Sequence, residues 1–557
     1  KHMKKNIVDL IESPFDIIYR LFFYFIFYFS SVFISLTYSV INSPDFSKYY
    51  RYFEFYSGNI ENLNLEQGHF YFFINYLVIL IFSNSMEYLT LYEIVNFSVH
   101  FGNSLIFLVG CLGMKKYLSK YFNLNNIYLV LSILCLLPTA FELRVTLKPE
   151  LLAFSCIGWL LHYLDQISEE NNTGINIIKF SIILSILVTS KISIGFMVGL
   201  FILLEVIYNK KELIKKFNIK RALIVLGLII ILLVENFVLN NQFITQVEHE
   251  EKYNNKADVE FFMNFPTEDL RDNPNKYFFS ESFLGITLFD SFNDFFGFYV
   301  NSEHTFLNKD RKKFFKVVFA NSELFPLKLK FDKAQKEFTF SGPYDRGWNE
   351  NNYIDETRML FSFAFSSIFY FLLFLFILFK RKLRIVLFTP FLGILIISIS
   401  ALGLLGTNNF DPNTGDSFKS FYYSFFILFA FIVLFLEIFK YNILKKTLSI
   451  TLILLFLFFL GFPFAYDQAN QEFLVYLNSY FPTCEFNRFV TDFLLNINLE
   501  AYCDNSFESK NLISPEAVIG NLNFSLYRVP YFNILLAFLF LVLLMPKVKS
   551  FNVLERI

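Results

Sequence analysis

The sequence predicts an all-α polytopic membrane protein with about twelve transmembrane helices, interfacial helices and two larger outer-side regions. Three observations carry that class. Hydrophobic residues make up 55% of the 557-residue chain and charged residues only 17%, far from the mixture of a soluble globular domain. The apolar residues fall in runs long enough to cross a hydrocarbon core of about 30 Å as helices. Lys and Arg gather in alternate loops, as the positive-inside rule expects of successive crossings.

The runs lie near 16–41, 88–114, 126–142, 149–165, 176–190, 193–208, 220–239, 358–379, 384–405, 420–438, 446–463 and 529–546. The stretch from Phe70 to Phe82 is apolar but short and follows a polar loop, so it reads as a helix lying in the interface. The chain contains 80 Phe alongside abundant Ile, Asn and Lys, the pattern of an AT-rich genome, so aromatic clusters carry little weight by themselves.

Basic residues set the orientation. Lys4–Lys5, Lys115–Lys116 with Lys120, Lys210–Lys211 with Lys215–Lys216 and Lys220–Arg221, the Lys380–Arg384 cluster, Lys440 with Lys445–Lys446, and Lys547 with Lys549 fall on one side. That side reads as the cytoplasm, with both termini in it, in a bacterial inner (plasma) membrane. The loop from Asp165 to Lys179 departs from the pattern with Glu169 and Glu170, but acidic residues weigh little in this rule.

The outer face then receives 42–87, 139–148, about 240–357 and about 464–528. This divides the chain into an N-terminal membrane module, 4–239, whose first outer loop is 42–87; a periplasmic region, 240–357; membrane helices, 358–463; a second periplasmic region, 464–528; and a last helix with a cytoplasmic tail, 529–557. Cys111, Cys135 and Cys156 lie in apolar runs, where an inert thiol is expected, whereas Cys484 and Cys503 share an outer loop and predict a disulfide. A net charge of −1 points to no nucleic-acid partner.

The first outer loop opens on Ser43-Pro44-Asp45, in which Ser43 can cap a helix, Pro44 suits its first position and Asp45 lies near the positive end of the dipole. Phe46, Tyr49, Tyr50, Phe53 and Ser57 then recur at helical spacing while Lys48, Arg51 and Glu54 fall on another face, the pattern of an interfacial amphipathic helix. A turn, Ser57-Gly58-Asn59, leads to Glu66-Gln67-Gly68-His69 and the second interfacial helix. Further along, Glu142-Leu143-Arg144-Val145-Thr146-Leu147-Lys148-Pro149-Glu150 bridges two spans, and Thr189-Ser190-Lys191 ends a third. Asp416-Ser417-Phe418-Lys419-Ser420-Phe421-Tyr422-Tyr423 opens a late span from outside. Lys191 and Glu235 both lie within or between apolar runs, where a charge costs several kcal/mol unless it finds a partner or a wet cavity.

The order of these segments resembles the C-type (GT-C) membrane glycosyltransferase superfamily, in the branch related to the protein O-mannosyltransferases and the lipid A aminoarabinose transferases. The likeness covers roughly the first 210 residues and the 400–440 region. It implies a donor sugar carried on a polyprenyl phosphate, membrane lipids around it, and a glycolipid, glycan or protein acceptor. Asp45 would be the catalytic base. Arg144, Lys148, Lys191 and Lys419 would bind the donor phosphate, and Tyr49, Glu66, His69, Glu142 and Tyr422 would line the substrate. Many relatives carry a second acid directly after the first; Phe46 stands there in this chain, with Glu54 and Glu66 as the nearby carboxylates. No cofactor is assigned and metal dependence stays open: Asp45, Glu66, His69 and Glu142 offer ligands to a divalent metal without a diagnostic spacing.

Two other classes compete. An O-antigen polymerase or ligase also transfers glycans across large outer loops, but relies on cationic pockets without an early Asp-bearing interfacial helix. A lipid or glycan transporter would carry inverted repeats or paired Gly/Pro-broken spans, and the sequence has neither pattern.

Overall fold

A computed structural model describes residues 14–37, 46–58, 67–83, 91–169, 173–209, 219–240, 283–292, 356–379, 383–402, 420–440 and 530–535, with Leu63, Phe262, Met263, Arg528 and Phe538 besides. Among these residues every regular element is helical. In chain order they are α1 (Pro14–Thr37), α2 (Phe46–Ser57), α3 (His69–Ser83), α4 (Leu91–Leu118), α5 (Leu124–Leu134), α6 (Pro138–Val145), α7 (Glu150–Ser168), α8 (Thr173–Ser190), α9 (Ile192–Asn209) and α10 (Ile219–Asn240). Then follow α11 (Phe283–Asp290), α12 (Glu356–Phe379), α13 (Arg384–Ala401) and a 3₁₀ turn, Ser420–Tyr423, that runs into α14 (Ser424–Ile438).

Helices cover most of the apolar runs that fall within the described residues. Four helices in the described residues are long and apolar enough to span a membrane: Ile94–Leu118, Ile192–Asn209, Arg384–Ala401 and Ser420–Ile438. The run expected as one helix over 126–142 is broken into α5 and α6, whose axes diverge by 66°, and counting the bent pair as one span gives a fifth crossing. Pro138 begins α6 and has no N–H to donate back into α5, so the hydrogen-bond ladder stops there.

Large apolar side chains cover the outside of the bundle. On α1, Ile18, Leu21, Phe25, Tyr28 and Phe29 all point outward, the reverse of a water-facing surface. The centre is α14, buried at every position from Ser424 to Ile438 and packed against α5, α7 and α13. Beside it α4 and α7 lie in close contact, with the Phe107 and Phe154 rings stacked at 4.9 Å and the Trp159 indole donating to the Val109 carbonyl at 3.0 Å.

The elbow between α5 and α6 is closed by Arg144, whose side chain has no solvent exposure. Its Nε donates to the Ala140 carbonyl at 3.1 Å, Nη1 to Ser30 Oγ of α1 at 2.9 Å, and Nη2 to the Cys135 carbonyl at 2.6 Å. Cys135 caps α5, so the last of these bonds satisfies a carbonyl the helix leaves open at its end. The guanidinium also lies over the faces of Phe107, at 4.8 Å, and Phe141, at 4.9 Å. A second strap holds the backbone beyond the elbow: Asn103 Nδ2 donates to the carbonyls of Arg144, at 2.8 Å, and Thr146, at 2.9 Å, and Tyr71 donates to Asn103 Oδ1 at 2.7 Å.

Glu235, the other charge in an apolar run, has a structural task as well. Its carboxylate accepts from the backbone N–H of Phe532 at 2.5 Å and of Asn533 at 3.1 Å, and from Asn533 Nδ2 at 2.6 Å. It thereby caps the helical segment that starts at Tyr531 and ties it to α10.

Replacing Arg144 by Met keeps much of its volume but leaves the Cys135 and Ala140 carbonyls without their donor. The Arg144→Met protein is expected to lose roughly 3 kcal/mol or more of stability, read as a lowered thermal unfolding midpoint in detergent. Arg144→Lys should recover only part of it, because one ammonium cannot span acceptors placed for the planar fork of a guanidinium.

Candidate functional site

The site begins with the turn between α2 and α3. Gly58 ends α2 at φ +83°, a left-handed conformation that suits glycine. The chain returns to Gln67, which is bracketed by Tyr52: the tyrosine hydroxyl donates to the Gln67 carbonyl at 2.7 Å and accepts from its N–H at 3.0 Å. Gln67 Nε2 in turn donates to the Tyr49 hydroxyl at 2.7 Å. The Tyr52 and Tyr49 rings stack on Phe72 at 4.0 Å and 5.4 Å, fixing α2 along α3. Tyr49, Tyr50, Tyr52, Phe53, Phe55 and Tyr56 are all buried, so α2 is enclosed on more sides than a single apolar face predicts; Arg51 stays exposed and Glu54 half-buried. Burial raises the Glu54 carboxyl above its ordinary range, with the Arg51 guanidinium pulling the other way.

The break between α8 and α9 docks onto this turn. Gly68 N–H donates to the Ser190 carbonyl at 2.8 Å, and a Cβ at position 68 would fall 2.1 Å from the Thr189 carbonyl oxygen. Only glycine permits that approach. Lys191, the next residue, reaches Glu150 at the start of α7: Nζ lies 2.5 Å from Oε1, with Glu150 fully buried and 19% of the lysine side chain exposed. The same ammonium lies 4.7 Å from the centre of the Tyr422 ring, in the 3₁₀ turn that leads into α14. Two residues before Glu150, the buried Lys148 places its Nζ 5.4 Å from the Phe421 ring and 6.0 Å from the Tyr49 ring.

Four segments far apart in sequence, at Tyr49–Gln67, Lys148–Glu150, Lys191 and Phe421–Tyr422, therefore meet at one end of the bundle. They set two ammonium groups and one carboxylate among aromatic faces. Glu150 lies in the first turn of α7, where the helix dipole favours its negative charge.

Of the residues singled out from the sequence, Tyr49, Lys148, Lys191 and Tyr422 belong to this cluster. Arg144 does not extend into it; its guanidinium is committed to the elbow. Glu142 is buried on α6, where its carbonyl accepts from Thr146 Oγ1 at 2.9 Å. His69 turns toward α2, with the Tyr56 hydroxyl 2.8 Å from Nδ1, and burial holds its pKa down at about 3. Asp45, Glu66 and Lys419 lie outside the described residues, as do Cys484 and Cys503. Among the described residues no group of three or more His, Cys, Asp or Glu side chains is arranged to hold a metal ion.

Glu150 and Gln67 join the site without having been assigned a role from the sequence. The signal for Glu150 is the pairing of two charges that apolar runs cannot bury singly: a carboxylate opening one span and Lys191 between two others. No protein family, curated protein or solved structure matches the chain.

Two expectations follow from this packing. Gly68→Ala should cost about 1–3 kcal/mol of stability by forcing α3 away from the α8–α9 break, measurable as a lowered unfolding midpoint. His69 is held neutral in the folded chain, with a pKa of about 3 against an ordinary value of about 6.5. Unfolded chains therefore bind the extra proton between those values, and the contribution of His69 to stability, complete above about pH 6.5, is lost as the pH falls toward 3. Comparison of stability–pH curves for the wild type and His69→Phe should show the wild type steeper by up to about 1.4 kcal/mol per pH unit in that window.

Proposed function

We propose that the protein is a membrane glycosyltransferase that moves a sugar from a polyprenyl-phosphate donor to an acceptor hydroxyl on the periplasmic face of a bacterial inner membrane. The observation that supports this reading most strongly is the convergence of Lys148 and Lys191 among aromatic rings, next to the helix that Asp45 immediately precedes in sequence. In the proposal about twelve crossings place the 240–357 and 464–528 regions outside, where they select a glycolipid, glycan or protein acceptor, and both termini inside.

The chemistry suits these residue types. A lipid-linked sugar phosphate carries one negative charge as a diester and gains another as the anomeric bond breaks. Two ammonium groups at the phosphate bind the ground state and stabilise the extra charge that develops. The acceptor oxygen bonds to the anomeric carbon from the face opposite the phosphate, the bond from that carbon to the phosphate oxygen breaks with its electron pair left on the phosphate, and the hydroxyl proton passes to Asp45. The configuration inverts. Lys419 supplies a third cation in this scheme, and Glu66 and Tyr422 line the donor. Arg144 is assigned to the elbow instead, because its donors are engaged there.

Purified protein in nanodiscs, supplied with radiolabelled polyprenyl-phosphate sugars and native membrane extract, should transfer label into the extract. Asp45→Asn is expected to lower the rate by about 10²–10⁴-fold while donor binding persists. Lys191→Met and Lys148→Met should each weaken donor binding by about tenfold or more. Full activity in Asp45→Asn would remove that residue from the mechanism, and donor binding indifferent to both lysines would remove the site.

A further inference from the structure

Two oxygen atoms in the cation–aromatic cluster are buried and have no hydrogen-bond partner among the described residues: Glu150 Oε2 and Gln67 Oε1. Both belong to side chains whose other polar atom is engaged. Glu150 Oε1 holds Lys191, and Gln67 Nε2 holds the Tyr49 hydroxyl. Each remaining oxygen is thus fixed in place as an acceptor, and a buried acceptor left open costs about as much as a lost hydrogen bond. Glu150 is fully buried and Gln67 is only 4% exposed, so bulk water does not meet this need.

We infer that Glu150 and Gln67 form a hydroxyl-reading subsite beside the two lysines, so that the ligand of this site is a sugar ring carried on a phosphate and not a lipid phosphate alone. The inference rests on the reading of Lys148 and Lys191 as the phosphate-binding pair. A lipid phosphate alone is a monoester, largely dianionic at neutral pH, so it has at most one proton to donate and is repelled by the Glu150 carboxylate. Sugar hydroxyls are donors and fit both open oxygens, with the carboxylate making the stronger, charge-assisted bond. The Tyr49 hydroxyl lies beside Gln67, and the Tyr422 ring lies beside Lys191. Glu150 therefore has two roles through its two oxygens: it positions Lys191 for the phosphate and reads the ring next to it. A site that requires hydroxyl donors rejects a ligand that lacks them, because its own acceptors are then left buried and unpaired.

The test is equilibrium binding of the full chain in nanodiscs to undecaprenyl phosphate and to undecaprenyl phosphates carrying glucose, mannose, galactose or arabinose. The wild type is expected to bind at least one sugar-bearing lipid about tenfold or more tightly than the bare lipid phosphate. Glu150→Gln and Gln67→Met should each reduce that preference, the ratio of the two affinities, severalfold; Glu150→Gln also changes the affinity for bare undecaprenyl phosphate through Lys191, whereas Gln67→Met still binds it, which reports that its fold and lysine pair are intact. If one variant loses both ligands through misfolding, the other decides. Equal affinity of the wild type for all five lipids, or an unchanged preference in the folded variants, would overturn the subsite and leave the phosphate site standing. Failure of the wild type to bind any of the five lipids, or binding that Lys148→Met and Lys191→Met leave unchanged, would overturn the proposed function, and the subsite with it.

Discussion

A single guanidinium, cut off from solvent, sets the geometry on which the site depends. Arg144 joins the end of α5, the body of α6 and the middle of α1 through three hydrogen bonds. Such a charge in the interior is costly, and it persists because its donors meet carbonyl and hydroxyl oxygens and its flat faces meet two aromatic rings. The 66° bend it closes sends the chain back across the bundle. Lys148 and Glu150 follow within six residues, so their position is inherited from the elbow. Asn103 and Tyr71 hold the intervening backbone from the other side, which leaves the segment from Arg144 to Glu150 little freedom.

The pair formed by Lys191 and Glu150 is of another kind. Attraction between buried opposite charges roughly offsets the loss of their hydration, so an ion pair in an apolar bundle is weak evidence for a stabilising role. The packing around it argues the same way. The lysine is placed by a glycine contact that tolerates no side chain, at the break between α8 and α9. A turn between two apolar helices can be made from uncharged residues, so packing alone does not call for either charge. Retaining a partly exposed ammonium against a fully buried carboxylate suits a site that has to receive an anion and release it.

Much of the fold can be read from the sequence because hydropathy is a property of runs. The helices α7, α9, α10, α13 and the Ser420–Ile438 span begin and end within a few residues of the apolar segments that predict them. The broken span is hidden from the same measure: an average over 126–142 stays apolar through Leu136-Leu137-Pro138, and nothing in it reports that the axis turns. The site is legible in its cations and rings but not in their division of labour. Arg144 and Lys148 sit four residues apart in one polar segment, and only the fold decides that the first points into the elbow and the second toward Tyr49 and Phe421. Gln67 was hidden because an amide in a turn has many uses, and its role here depends on a tyrosine eighteen residues before it.

Contacts between loops give the bundle its two ends without reference to charge counting. At one end, Lys120 after α4 pairs with Asp165 at 3.3 Å and with Glu169 at the close of α7, Lys440 after α14 lies over the Phe122 ring, and Arg384 at the start of α13 reaches Tyr208 near the end of α9. At the other end, Lys148 before α7, Lys191 between α8 and α9, and Tyr422 before α14 form the cluster. This is the alternation that successive crossings demand, and it separates the cations into two populations. Those of the first end lie at the margins of the bundle and stay exposed themselves, as Lys120 does beside the buried Asp165 and the exposed Glu169, which is expected of residues that orient a membrane protein. Those of the second are drawn inward among rings and a buried carboxylate, where solvation by water is replaced by contacts that an anionic ligand can improve. That contrast, more than the number of lysines, is what the proposal of a ligand site at the second end rests on.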